Sequence, residues 1–319
     1  MLKPQNAIQT LKTFRHIPDL YWSQKIAESG ISLGDIKFDK TSETVFVKPL
    51  NLHVAKDKKD FFLRKKFLEL AKSCIKNANA KFFVNDEKEL VIDIEGIKII
   101  IDTEQELSII REVFVDGTYN LIYDRPTVIW DIGLNTGMSS LYFSTKENVV
   151  GIFGYEPFKM TYDQALRNIA LNPEAAQKIQ AFNYGVGGEK EETLMLEYNY
   201  ECKASVGING MTVDDKKNAE RSFSKEEIKL KPARDILASI QSQYPDADIV
   251  AKIDCEGAEY DILEALDAEG LLGSLKGIMM EWHNKGPKPL EEKLRKSGFV
   301  IFSRRPKSKT IGAIYAVKA

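Results

Sequence analysis

The residues with the strongest chemical character stand in one run, Lys252-Ile-Asp254-Cys-Glu256-Gly257-Ala-Glu259. On an extended strand Lys252, Asp254 and Glu256 would share one face. Three charges at a strand end are costly unless they face a cleft, so the run is a candidate reacting centre. The plainer reading is a local ion-pair network followed by a helix start. A second run, Glu281-Trp282-His283-Asn284, holds one of only three histidines. Beside those acids, Glu256 and His283 are candidate general bases, with Asp254 orienting the base or a ligand. Asp254, Glu281 and His283 could also meet around a divalent metal. Close-spaced ligands of the HxxxH kind are absent, so a metal is not favoured and no metal ligand is assigned. His16 and His53 are given no chemistry.

A third run, VIWDIGLNTGMSS over residues 128–140, reads as an apolar strand, an acid, a glycine turn and a helix start. It is neither the GxGxxG fingerprint nor a phosphate loop with Gly-Lys-Ser/Thr. Asp131 can receive a ligand ammonium or order the turn. Gly133 and Gly137 let backbone and ligand approach. The turn has no lysine or arginine for a pyrophosphate. The next strand ends in Gly154-Tyr155-Glu156-Pro157, where an acid can take ribose hydroxyls. A nucleoside bearing an amino acid group fits both features, and S-adenosylmethionine is such a molecule.

These runs need a scaffold. From residue 127 strands alternate with helices: TVIWDIG, VVGIFGYEP, IQAFNYGVG, IVAKIDCEG and GIMMEWH read as strands, and FVIFSRR and TIGAIYAVKA close as a hairpin. Crossover helices imply a mostly parallel sheet with helices on both faces, plus an antiparallel strand near one edge. Ligands then bind at the carboxyl ends of the strands. Residues 1–105 read as a smaller α+β region, with a helix over 64–76 and a hairpin over 89–102. Residues 106–319 form the ligand-binding domain and open on a helix over 106–114. Between Gly188 and about Ile228 the alternation lapses into a charged excursion, either a floppy insertion or a substrate lid.

Composition sets outer bounds. The 319 residues carry a net charge of -2, with 43% hydrophobic and 29% charged. Mixed signs argue against a nucleic-acid or membrane-surface patch. Cys74, Cys202 and Cys255 show no CxxC pairing and fit a reducing compartment. No run approaches the roughly 20 apolar residues that span a bilayer, and no signal peptide is evident. A cytoplasmic protein is expected.

Taken together, DIGLNTG, GYEP, ALRNIALN, KIDCEGAEYDIL and EWHNKGPKPLEEKLRKSGF resemble the FkbM-type family of S-adenosylmethionine-dependent methyltransferases, across about residues 120–305. The resemblance implies a class I methyltransferase fold with a seven-stranded sheet and methyl transfer to oxygen, on a sugar, glycoconjugate or small-metabolite hydroxyl. By motif, Asp131, Gly133, Asn135 and Gly137 would line the methionine portion, Glu156 the ribose, and Gly185 and Val186 would lie near the adenine; Thr136 and Pro157 would join this cofactor-binding set. Three alternatives stay open: a noncatalytic S-adenosylmethionine-binding partner subunit, a nicotinamide-dependent oxidoreductase, and aminopropyl transfer. The acceptor is not legible, and a homo-oligomer built through the N-terminal region is compatible with the sequence.

Overall fold

The computed structural model describes residues 4–56, 63–120, 124–200, 203, 206–207, 223–304 and 310–318. The chain divides into two compact units, Met1–Thr118 and Tyr119–Ala319.

The first unit holds α1 (Pro4–Phe14), α2 (Leu20–Ser29), β1 (Ile36–Asp39), β2 (Thr44–Val47), β3 (Leu52–Val54), α3 (Lys65–Ala78), β4 (Lys81–Val84), β5 (Leu90–Ile94), β6 (Ile97–Ile100) and α4 (Glu104–Ile110). The strands make two three-stranded antiparallel sheets, β1-β2-β3 and β4-β5-β6. The hairpin expected over 89–102 is β5–β6, and Glu95 and Gly96 at its tip both take positive φ, as a tight two-residue turn demands. Phe67, Leu68, Leu70, Ala71 and Cys74 form the buried stripe of α3. The helix expected over 106–114 starts at Glu104, where the Glu106 carboxylate accepts from the Thr103 amide at 2.8 Å. It continues as a π-helical turn, Arg111–Val115, and lies wholly in the first unit.

The second unit holds β7 (Thr127–Ile132), α5 (Met138–Ser144), β8 (Val149–Tyr155), α6 (Lys159–Ala170), α7 (Pro173–Ala176), β9 (Ile179–Phe182), β10 (Gly185–Gly187), β11 (Glu192–Tyr198), β12 (Ser224–Pro232), α8 (Ala233–Gln243), β13 (Asp248–Ile253), α9 (Glu259–Ala268), β14 (Gly277–His283), α10 (Lys288–Lys296), β15 (Phe299–Arg304) and β16 (Ile311–Lys318). Seven strands form one sheet in the order β15-β16-β14-β13-β7-β8-β9. The five from β14 to β9 run parallel, and β16 is antiparallel to both β14 and β15. The expected mostly parallel α/β sheet is therefore present. All six residues of β7 are buried, as a central parallel strand covered on both faces requires. Val128, Trp130 and Ile132 pack with Ile236, Leu237, Ile240, Ile262 and Leu266 of α8 and α9 in one apolar core.

Two sequence expectations are corrected. IQAFNYGVG is not one strand: β9 ends at Phe182 and β10 belongs to another sheet, β10-β12-β11. That second sheet occupies much of the segment read as an irregular excursion, since β11 and β12 pair antiparallel from Glu192↔Leu230 to Tyr198↔Ser224. Most of the charged stretch MTVDDKKNAERSFSKEE lies outside the described residues, as does Cys202. Cys74 and Cys255 are free thiols. Among the described residues no helix is long and apolar enough to cross a membrane.

Candidate active site

The chain leaves β7 toward β8 on one side and later returns to β13 on the other. This is a topological switch point, where the strand ends open a crevice. At this edge the turn after β7 meets the turn after β13. Asp131 and Lys252 are register partners on those two strands. The Asp131 carboxylate is fully buried and accepts from Ser139 Oγ at 2.7 Å and Ser140 Oγ at 2.6 Å. Its other oxygen has Lys252 Nζ 3.1 Å away without an aligned hydrogen bond. Lys252 Nζ donates to the Gly133 carbonyl at 2.5 Å. Burial opposes the charge on Lys252, but Asp131 and Asp254 outweigh it and hold the ammonium above its ordinary value. Of the two roles open to Asp131, this geometry favours ordering the turn. Thr136 is also enclosed, its hydroxyl without a hydrogen-bond partner among the described residues.

Three residues of the turn take positive φ: Gly133 at 83°, Asn135 at 52° and Gly137 at 87°. Gly133 and Leu134 donate to the Tyr155 carbonyl, which ties the turn to the end of β8. There Glu156, 6% exposed, accepts from Asn135 N and Phe158 N, both at 3.0 Å. Burial raises its pKa. The two amides and Lys252 pull it back only in part, so it settles at about 7. Each Glu156 oxygen has one backbone donor and keeps a lone pair, an acceptor set suited to the two hydroxyls of a ribose. Gly133, Asn135 and Pro157 are partly open beside it. A pyrophosphate would find two carboxylates here and a lysine already engaged. These residues therefore fit S-adenosylmethionine better than a dinucleotide. A Cβ on Gly185 would strike Leu230 and crowd Pro157, which brings β10 against the turn after β8, whereas the Val186 side chain belongs to the core.

The second turn departs from its expected form. β13 ends at Ile253, so Lys252, Asp254 and Glu256 do not alternate along a strand. Glu256 sits at φ 52°, a left-handed conformation that a non-glycine residue adopts at a cost. Asp254, Glu256 and His283 nevertheless converge, one ligating atom from each lying within 4.8 Å of the others. Glu256 takes the place expected for Glu281 in a metal-capable set. Tyr119 Oη donates to Asp254 Oδ2 at 3.2 Å. Gly207, buried, also reaches this turn, since a Cβ on it would fall 2.0 Å from the Glu256 carbonyl oxygen.

Behind His283 stands a residue the sequence reading passed over. Glu259, fully buried at the first position of α9, accepts from Gly257 N at 2.7 Å and meets His283 Nδ1 at 2.6 Å. His283 Nε2 faces Glu256 at 3.4 Å. Burial lowers the imidazole pKa, but the bond to Glu259 and the charges of Glu256, Asp254 and Glu259 outweigh it and raise it from 6.5 to about 9. At neutral pH His283 holds its proton, which makes Glu256 the better base. The raised value also has a thermodynamic sign. Stability contributed by this imidazole is fully present below pH 6.5 and is lost as pH rises through about 9. We expect urea midpoints to fall across that window by an equivalent of roughly 3 kcal/mol, and His283→Asn to flatten the fall. A native profile already flat from pH 6.5 to 9 would contradict the buried ion pair.

No protein-family profile matches the chain. A curated protein, methyltransferase sdnD of Sordaria araneosa, is 34% identical over 92 residues, 28% of this chain and 34% of that one. The chain thus matches about a third of that relative's length. Among solved structures, methyltransferase FkbM from Methylobacillus flagellatus KT is similar with a TM-score of 0.40 and 16% identity, over 65% of this chain and 47% of that chain. TrmK of M. capricolum, solved with S-adenosyl-homocysteine, gives a TM-score of 0.35 and 12% identity, over 64% of this chain and 66% of that one.

Proposed function

We propose that the chain is an S-adenosylmethionine-dependent methyltransferase that methylates a hydroxyl of a sugar, glycoconjugate or small metabolite. The observation that carries this reading is the meeting, at one sheet edge, of a glycine turn with a buried ribose-type acid and a cluster of proton-accepting groups. Asn135, Gly133, Glu156 and Pro157 hold the cofactor, with Gly185, seated against Pro157, on the adenine side. Asp131, Thr136 and Gly137 build the turn that presents them. The cofactor supplies a methyl group already activated on sulfur. The protein's task is to align an acceptor oxygen with it and remove that oxygen's proton. Glu256 takes the proton, His283 steadies the Glu256 carboxylate, and Asp254, held by Tyr119, orients the acceptor.

Calorimetric titration with S-adenosylhomocysteine tests this. We expect micromolar binding in the full chain, lost in Glu156→Ala. Glu256→Gln should keep that affinity within about twofold, yet lower transfer to hydroxyl acceptors by roughly 10²- to 10⁴-fold. No binding, together with a heat signal from NAD, would overturn the reading. Binding without transfer to any acceptor in a broad hydroxyl panel would favour a noncatalytic partner subunit.

A further inference from the structure

The structure assigns a divalent-cation site to Asp254, Glu256 and His283, on the acceptor side of the proposed cofactor crevice. Three observations carry it. The first is the ligand set. Two carboxylates and an imidazole offer three ligating atoms within 4.8 Å of one another, from the ends of two neighbouring strands. The second is the presentation of His283. The side chain is 4% exposed and its Nδ1 is taken by the buried Glu259 carboxylate at 2.6 Å. That fixes the ring and aims Nε2 into the cluster, where Glu256 lies 3.4 Å away without an aligned hydrogen bond; a cation there displaces the Nε2 proton that His283 otherwise holds at neutral pH. A carboxylate behind a histidine is the usual support of a metal-ligating imidazole, orienting the ring and raising its basicity.

The third is charge. Asp254, Glu256 and Glu259 crowd one end of the sheet, while Lys252 is committed to Asp131 and to the Gly133 carbonyl. The backbone of Glu256 is left-handed, at φ 52°. Cys255 does not join the set, because its sulfur turns to Glu259 at 3.8 Å. Two oxygens and one nitrogen, with no thiolate, suit Mn²⁺, Fe²⁺ or Mg²⁺ better than a closed zinc site. Three protein ligands also leave positions for oxygens of an acceptor.

The cation's role rests on the methyl-transfer reading. An acceptor hydroxyl joining the cation would be acidified. Glu256 lends one oxygen to the cation and keeps the other for the released proton. The acceptor oxygen then bonds to the methyl carbon as the carbon–sulfur bond breaks, with its electron pair left on the neutral thioether.

Cation binding is measured apart from that chemistry. Mn²⁺ titrated into the full chain, followed by electron paramagnetic resonance, should show one bound ion per chain. Asp254→Asn, at a partly buried position outside the apolar core, should weaken it at least tenfold, and Glu259→Gln by about 10- to 100-fold. Glu156→Ala should leave Mn²⁺ binding unchanged while losing S-adenosylhomocysteine, so failure of the cofactor reading and failure of the cation site are separately visible. No stoichiometric Mn²⁺, or binding indifferent to Asp254→Asn, overturns the proposal.

Discussion

Gly133→Ala should unfold the second unit or leave it barely stable, with a loss above about 4 kcal/mol. Two effects add. The residue sits at φ 83°, where a side chain costs about 1–2 kcal/mol. The larger effect is contact. A Cβ there would lie 1.8 Å from the Asp254 carbonyl oxygen and 2.8 Å from its carbon. Both atoms are backbone, so no rotamer change relieves the overlap. The Asp254 amide also donates to the Ile132 carbonyl at 3.0 Å, which pins that backbone to the end of β7. Urea unfolding of the full chain reads the loss. A variant within about 1 kcal/mol of the native protein would mean that the two turns separate freely.

Lys252→Met should cost about 3–5 kcal/mol, the usual penalty for leaving a buried charge without its partner. Methionine keeps length and apolar contact while removing the ammonium. Asp131, fully buried, would retain its two serine donors but lose its counter-charge. The Gly133 carbonyl would lose its lysine donor too. A second change separates charge from packing. Asp131→Asn in the Lys252→Met background removes the stranded charge, so the pair should recover a large part of the loss in a double-mutant cycle. Additive losses would show that the lysine acts through packing, and that its charge matters little.

Much of this edge was legible because its residues are chemically out of place. Asp131 and Lys252 interrupt apolar strands, and Gly133 and Gly137 punctuate a strand-to-helix junction, so sequence pointed to both turns and to Glu156. The central strands read clearly because β7, β8, β13 and β14 are nearly continuous apolar runs. What escaped was set by contacts distant in sequence. Tyr119 reaches Asp254 across 135 positions, and Glu259 meets a histidine 24 positions away that only the strand order places beside it. Glu259 was visible as the last acid of its run, but nothing in the sequence set it beside His283. The β10-β12-β11 sheet was hidden for another reason. The outward residues of β12 are Lys225, Glu227 and Lys229, and their charge masked the alternation with Ile228 and Leu230. The strand read through IQAFNYGVG broke at Asn183, whose amide bonds the Glu156 and Pro157 carbonyls.

The close seating of Gly133 against the Asp254 carbonyl also bears on how this protein can be rebuilt. The two signature loops are a matched pair, each shaped to the other's main chain. A chimera that imports one loop from a relative would inherit a mismatch at that seam, even if every side chain facing the ligand were correct. Ligand preference at this edge should therefore be easier to transplant as a joined segment, with β7 and β13 and both of their following turns exchanged together, than by swapping either loop alone.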